Sequence, residues 1–280
     1  MNAKTNDEAT RVRRFTPLQR FFHGGLLAAF IVQGATGLGR MSVETGWGKG
    51  LCRLFGGYES ALVLHKIVGI LMIAGFLIHM VYLLVVIDWR RFPRMLLGPD
   101  SLVPSPRDAR QFFEHLGWFF GVRPHPEFDR WGYWEKFDYW AVFWGMVILG
   151  ISGLLLAFPV ASSRMVPGWG LNVALWVHRI EALLAMAHVF IIHFFVAHVR
   201  RHSFPMDRAM FEGTVDLEST RREKPAWLAR LKEAGRFEER LATEAPPFVR
   251  AASYLFGFVA MAAGIALLVG AVINLPRITW

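Results

Sequence analysis

Ten histidines occur in this chain, and five of them, His178, His188, His193, His198 and His202, fall within one apolar stretch, VHRIEALLAMAHVFIIHFFVAHVRRH, at residues 177–202. Imidazole is costly to place in hydrocarbon without a partner, so a cluster there marks a functional site. His65 and His79 lie fourteen residues apart in another apolar run, and His23 opens a third. At 1.5 Å and about 100° per residue, His65 and His79 are ~21 Å apart along nearly one helix face; His178 and His193, fifteen apart, are separated by ~22 Å. Imidazoles at two depths of a helix bundle are what two stacked haem irons require, each iron taking one axial nitrogen from each of two facing helices.

Depth sorts the candidates. His65 and His178 each sit a few residues inside the same boundary and can share one outer haem. His193 lies seven residues before Arg200, and two partners compete for it: His23, three residues after Arg20, and His79, nine before Asp88. Depth alone slightly favours His79. His188, five residues before His193, points to a different face and reads as a packed or hydrogen-bonding histidine, or as an extra ligand. His198 and His202 lie close to Arg200 and Arg201 and can reach the interface, while His115 and His125 read as solvated loop residues. The alternative is a non-haem transmembrane metal-ion transporter or assembly protein. Such a site needs three or four N, S or carboxylate ligands converging on one ion. Here the ligands are spread over most of a bilayer, Cys52 is the single cysteine, and Glu181 is the main intramembrane carboxylate.

The elements that must position these residues are membrane helices. Of 280 residues 54% are hydrophobic and only 19% charged, against about 25% charged in soluble domains. Five runs are long enough to cross a ~30 Å hydrocarbon layer: roughly 21–39, 61–87, 138–158, 172–199 and 249–275. The fold expected is therefore all-α, an integral membrane four-helix bundle with one additional C-terminal span. Lys and Arg crowd the segment before the first span, the loop 88–136 and the stretch after Val199; the loops 40–60 and 159–171 hold only Arg40, Lys49, Arg53 and Arg164. That bias puts the N-terminus in the cytoplasm and the C-terminus outside. The net charge of +9 is accounted for by basic loops facing anionic lipid, with no nucleic-acid partner needed. A basic lead of about twenty residues before a span-length run argues against a cleaved signal peptide. One cysteine excludes internal disulfides, and the absence of C-x-x-C-H excludes the usual attachment of c-type haem. Trp227, Leu228, Leu231 and Leu241 mark one face of residues 219–246, which suits an amphipathic helix lying on the membrane or a partner, or a solvated linker helix. The expected organisation is a cytoplasmic N-terminal segment (1–20), a four-span bundle (21–218) with its loop 88–136, a cytoplasmic amphipathic segment (219–247), and a fifth span with an outside tail (248–280). No internal repeat stands out.

With these residues in view, the chain resembles the cytochrome b subunit family of membrane-bound formate dehydrogenases, nickel–iron hydrogenases and thiosulfate reductases. The likeness runs over roughly residues 11 to 235. It is carried by Arg20-Phe-Phe-His23, His65-Lys-Ile-Val-Gly69, Ile151-Ser-Gly153-Leu followed by Phe158-Pro159, the pair His188 and His193, Glu212-Gly-Thr-Val215, and Pro225-Ala-Trp227. The resemblance implies a dihaem, quinone-coupled cytochrome of the bacterial inner membrane, with haem b as cofactor and menaquinone or ubiquinone as substrate. Carried over, His65 and His178 ligate the outer haem iron, and His23 and His193 the inner one. Three features depart from the family pattern. The fourth-span ligands are fifteen apart where the family has fourteen, a difference that a π-bulge or one residue of slip would absorb. His79 lacks a counterpart in the plainest members, which leaves a third haem open, and the fifth span is additional. His178-Arg-Ile-Glu-Ala-Leu-Leu-Ala, His202-Ser-Phe-Pro-Met-Asp207 and Tyr133-Trp-Glu-Lys-Phe-Asp-Tyr-Trp140 are similar to the branch paired with periplasmic multihaem cytochromes c. The implied partner is a periplasmic redox subunit: an iron–sulfur/molybdenum enzyme, a hydrogenase or a multihaem cytochrome c.

Bis-histidine iron has no open position, so the expected role is electron transfer between a quinone pool and that partner, with no independent substrate site in this chain. Lys66 and Arg179, each next to an outer ligand, are candidates for pairing with haem propionates. Glu135, Lys136, Asp138, His198 and His202, at the inner ends of the third and fourth spans, are candidates for the quinone site and its proton path. Gly34, Gly37, Gly69, Gly150 and Gly153 are candidates for close approach of a porphyrin to the backbone.

Overall fold

The computed structural model describes residues 10–200 and 203–278. Five long helices dominate it: Pro17–Met41, Tyr58–Val86, Tyr133–Ala157, Gly168–Val199 and Pro247–Asn274. Each is long and apolar enough to cross a membrane. Their outer faces carry exposed Leu71, Leu77, Val85, Ile151 and Ile191, a pattern that only a lipid solvent makes favourable. Helix starts follow local chemistry. Thr16 and Gln19 close a capping box ahead of Pro17, and Glu135 accepts the backbone N–H of Gly132 at 2.7 Å to start the third span.

The first and second spans form one antiparallel hairpin and the third and fourth another. The fifth packs on the first and fourth, where Ala35, Leu38, Met186, Phe190, Leu267 and Ala271 share a buried core. Its glycines allow that approach: a Cβ on Gly264 would come within 2.6 Å of the Phe190 ring. The fourth span leaves α-helical geometry at His188. His188–His193 and Phe195–Val199 are wound as π-helix, which inserts an extra residue per turn and so takes up the fifteen-residue spacing from His178 to His193.

The polar segments form a cap over one end of the bundle. Strand β1 (Arg11–Arg13) lies between β2 (Thr214–Asp216) and β3 (Leu241–Ala242), antiparallel to both. Beneath the sheet, Val12, Leu217, Trp227, Leu228 and Leu231 make a second core. The apolar face of residues 219–246 is therefore neither laid on the membrane nor solvated. It folds as short helices, chiefly Leu217–Glu223 and Pro225–Glu233, whose Trp227 is 2% exposed. Ion pairs seal the cap to the bundle. Glu135 takes Arg14 at 2.7 Å and Lys224 at 2.8 Å, Lys136 takes Asp108 at 2.9 Å, and Arg230 forks between Asp100 and Asp129. Burial, with the charge of Arg14 beside it, lowers the Lys224 ammonium pKa to about 8. His115 and His125 are half-buried: they pack with Trp118, Phe128, Tyr133 and Trp134, and His115 Nδ1 lies 3.1 Å from the Tyr133 hydroxyl.

Candidate functional site

The interior of the four-span bundle holds two pairs of facing imidazoles. Away from the cap, the rings of His65 and His178 have centroids 6.2 Å apart; near the cap, those of His23 and His193 are 6.4 Å apart. A metal–imidazole bond is about 2 Å long, so two rings flanking one iron have centroids roughly 6 Å apart. Both pairs have that separation.

The first pair is held by a device used twice. Thr36 Oγ1 donates to the Val32 carbonyl at 2.7 Å and therefore accepts from His65 Nδ1, 2.9 Å away. Ser152 Oγ donates to the Ile148 carbonyl at 2.7 Å and accepts from His178 Nδ1 at 3.0 Å. Each bond puts the proton on Nδ1 and leaves the Nε2 lone pair free, the tautomer a metal needs. The residue after each hydroxyl is glycine, and a Cβ on Gly37 or Gly153 would lie 3.2 Å from Cε1 of the ring it faces. These two glycines make room for the histidines themselves. Gly34, Gly69 and Gly150 instead face Met186, Gln33 and Ile73 of neighbouring spans.

Two hairpins thus present the same motif, Gly34-Ala-Thr36-Gly37-Leu against Gly150-Ile-Ser152-Gly153-Leu, facing His65-Lys-Ile and His178-Arg-Ile. The two hairpins repeat one another at these positions. The signal is confined to these few residues, which is why the sequence alone did not reveal it.

At the cap end, Asp138 sits between two histidines, with Oδ2 3.2 Å from His193 Nδ1 and Oδ1 3.1 Å from His188 Nε2. Its carboxylate fixes the Nδ1–H tautomer of His193, as the hydroxyls do for the other pair. His198, one π-turn beyond His193, has its ring 6.2 Å from it and a buried Nδ1 with no partner among the described residues. His79 does not face His193. Its Nε2 bonds the Tyr139 hydroxyl at 3.0 Å, and its ring packs on Phe22 and Tyr82. Glu135 and Lys136 are held in the cap's ion pairs, and His202 lies outside the described residues. Among the described residues no group of three or more His, Cys, Asp or Glu converges on one point in the way a metal-ion site would need.

Arg40 carries no motif and was not singled out in the sequence. It lies over the Tyr58 ring, 5.3 Å from its centroid, and keeps a buried Nε without a partner among the described residues. A buried guanidinium nitrogen left without a partner is suited to an anionic group such as a carboxylate. Lys66 and Arg179, on the helical turns that carry the two histidines, are half-buried.

Residues 14–213 match the family described as prokaryotic cytochrome b561. The chain belongs to the prokaryotic cytochrome b561 family. It is also 24% identical over 217 residues to the protein named "Formate dehydrogenase, cytochrome b556(fdo) subunit" of Escherichia coli K12 and to the protein of the same name in Escherichia coli O157:H7, covering 76% of this chain and 90% of the relative. The prokaryotic cytochrome b561 assignment makes this a multi-pass membrane b-type cytochrome working in electron transfer, with haem b as its cofactor. The match covers all four histidines of the two facing pairs and ends before the fifth span.

Proposed function

We propose that this cytochrome is the membrane electron-transfer subunit of a respiratory complex, built to hold two haems b. His65 and His178 would hold the iron of one, and His23 and His193 that of the other; the matching separations of 6.2 and 6.4 Å support this most directly. Bound there, haem b supplies reversible one-electron chemistry. The chain's own residues do the rest. Thr36, Ser152 and Asp138 keep the Nδ1 protons in place and raise the basicity of the ligating nitrogens. Arg40, with its buried Nε unpartnered among the described residues, would pair with a propionate of the first haem, and Lys66 and Arg179 could add to that end.

The cap end gathers Arg11, Arg13, Arg14, Arg20 and the basic loop 88–136, which supports placing it in the cytoplasm of a bacterial inner membrane. The pair near the cap would then exchange electrons with menaquinone or ubiquinone. The opposite pair would face a periplasmic redox subunit, docked on loops 40–60 and 159–171. A pyridine haemochrome assay on purified protein tests the reading, with two haems b per chain expected. His178→Ala should remove one haem and His23→Ala the other. One haem per chain, or a His178→Ala variant with full haem content, would sink the assignment.

A further inference from the structure

The internal repeat relates more than the two hydroxyl–histidine pairs. The offset of 116 residues that relates Thr36 to Ser152 also relates His23 to Tyr139. An offset of 113 relates His65 to His178, and 114 relates His79 to His193, the added residue being taken up by the π-wound segment. The cap-end pair His23 and His193 therefore has a counterpart in Tyr139 and His79, a second half-site on the other side of the bundle.

The two half-sites differ in what they can hold. His23 and His193 leave space for a metal between their rings. In the counterpart, Tyr139 Oη and His79 Nε2 are 3.0 Å apart, whereas two donor atoms flanking one metal must be about 4 Å apart. What remains is a hydrogen-bonding pair in an aromatic setting. Phe22 meets the His79 ring edge-on at 5.7 Å, Tyr82 lies nearly parallel to it at 6.5 Å, and Tyr139 meets it at 6.0 Å. On the same turns of the second span, Ile78 and Tyr82 are exposed on the lipid side.

We propose that His79 and Tyr139 form the binding site for the headgroup of a lipid-soluble quinone. The ligand must arrive through hydrocarbon, stack flat among aromatic rings, and carry an oxygen that accepts from an imidazole N–H or a phenol O–H. A quinone ring has all three properties. Phe22, in contact with His79, directly precedes His23, so the ring would sit one residue away from the cap-end pair. Glu135 and Lys136 are held in ion pairs and Asp138 by two histidines, whereas the His79–Tyr139 bond needs only to open for a ligand. The inference rests on the two-haem reading for the direction of its electrons, but not for binding itself.

The test is isothermal titration of purified full-length protein in detergent with short-chain ubiquinone and menaquinone analogues, together with haem per chain. Tyr139→Phe and His79→Leu should each weaken binding about tenfold, the effect of one lost hydrogen bond in a desolvated site. His79→Gln, which keeps a donor, should lose less than His79→Leu. Haem content and the dithionite-reduced spectrum should stay as in the wild type. Binding within twofold of wild type in both Tyr139→Phe and His79→Leu would overturn the proposal, as would loss of a haem from either. Wild-type protein that lacks haem yet binds quinone through Tyr139 would overturn the two-haem reading and leave this one standing.

Discussion

Thr36→Val removes one oxygen and almost nothing else. The side chain is fully buried, valine has nearly its shape, and the helix loses no backbone bond. What disappears is the acceptor 2.9 Å from His65 Nδ1. A buried N–H left without a partner costs about 1–3 kcal/mol, which at 1.4 kcal/mol per decade is roughly 5- to 100-fold in affinity. Losses on removing a hydrogen-bond partner of a metal-bound histidine fall in the same span, about 10- to 100-fold. Ser152→Ala does the same to His178, the facing member of the proposed ligand pair. The double variant should lose about 2–6 kcal/mol if the two bonds act independently, less if one ring reorients to serve both. The assay is haem transfer to an excess of an apo-haem protein, followed spectrally, with each haem identified by its potential. The haem away from the cap should leave 5- to 100-fold faster in each single variant, while the cap-end haem leaves at the wild-type rate. Equal acceleration of both haems, or none of either, would refute the idea that Thr36 and Ser152 fix the tautomers of this one pair.

Other expectations can be checked alongside it. His79→Ala should keep both haems, whereas His23→Ala should keep only the one away from the cap; haem per chain distinguishes them. Gly153→Val should displace the His178 ring, since even a Cβ would sit 3.2 Å from it, and should broaden or shift the spectrum of that haem alone. Trp227→Ala should destabilise the cap by about 3–5 kcal/mol, seen as faster proteolysis within residues 203–246 with the spans still protected. Lys224 holds its proton more weakly in the folded protein, near pH 8, than in the unfolded chain, whose value is 10.5. Its contribution to cap stability should therefore rise as the pH passes from about 8 to 10.5, by on the order of 1–3 kcal/mol. Urea titrations of wild type and Lys224→Met across that range should converge or diverge accordingly, and a pH-independent difference would contradict it.

The apolar runs made the five spans legible, because a ~30 Å hydrocarbon layer demands long unbroken stretches. Depth along the helices also put His65 level with His178. It slightly favoured His79 over His23 beside His193, whereas His23 is the one that faces it, since rise per residue says nothing about which neighbour a helix turns towards. Phase would have helped, but the π-wound stretch after Ala187 rotates His193 away from where a 3.6-residue repeat places it. The cap escaped for a different reason. The face formed by Trp227, Leu228 and Leu231 was visible, yet its partner Val12 lies more than 200 residues earlier, and no local pattern announces a contact of that range. Arg40 counted only as one of the few basic residues of the loop 40–60; the buried Nε without a partner among the described residues is what marks it.

The three-stranded sheet carries a consequence for how the protein is made. Strand β1 leaves the ribosome before the first span, but both of its neighbours, β2 and β3, are translated only after the fourth span. The chain emerges from its N-terminus, so the clasp cannot close until four spans have been threaded. The same delay applies to His23, which waits on the first span for His193 on the fourth. Closure of the sheet and completion of the cap-end pair are thus events of one late stage, and the clasp acts as a latch that holds the first span in register once the bundle is whole.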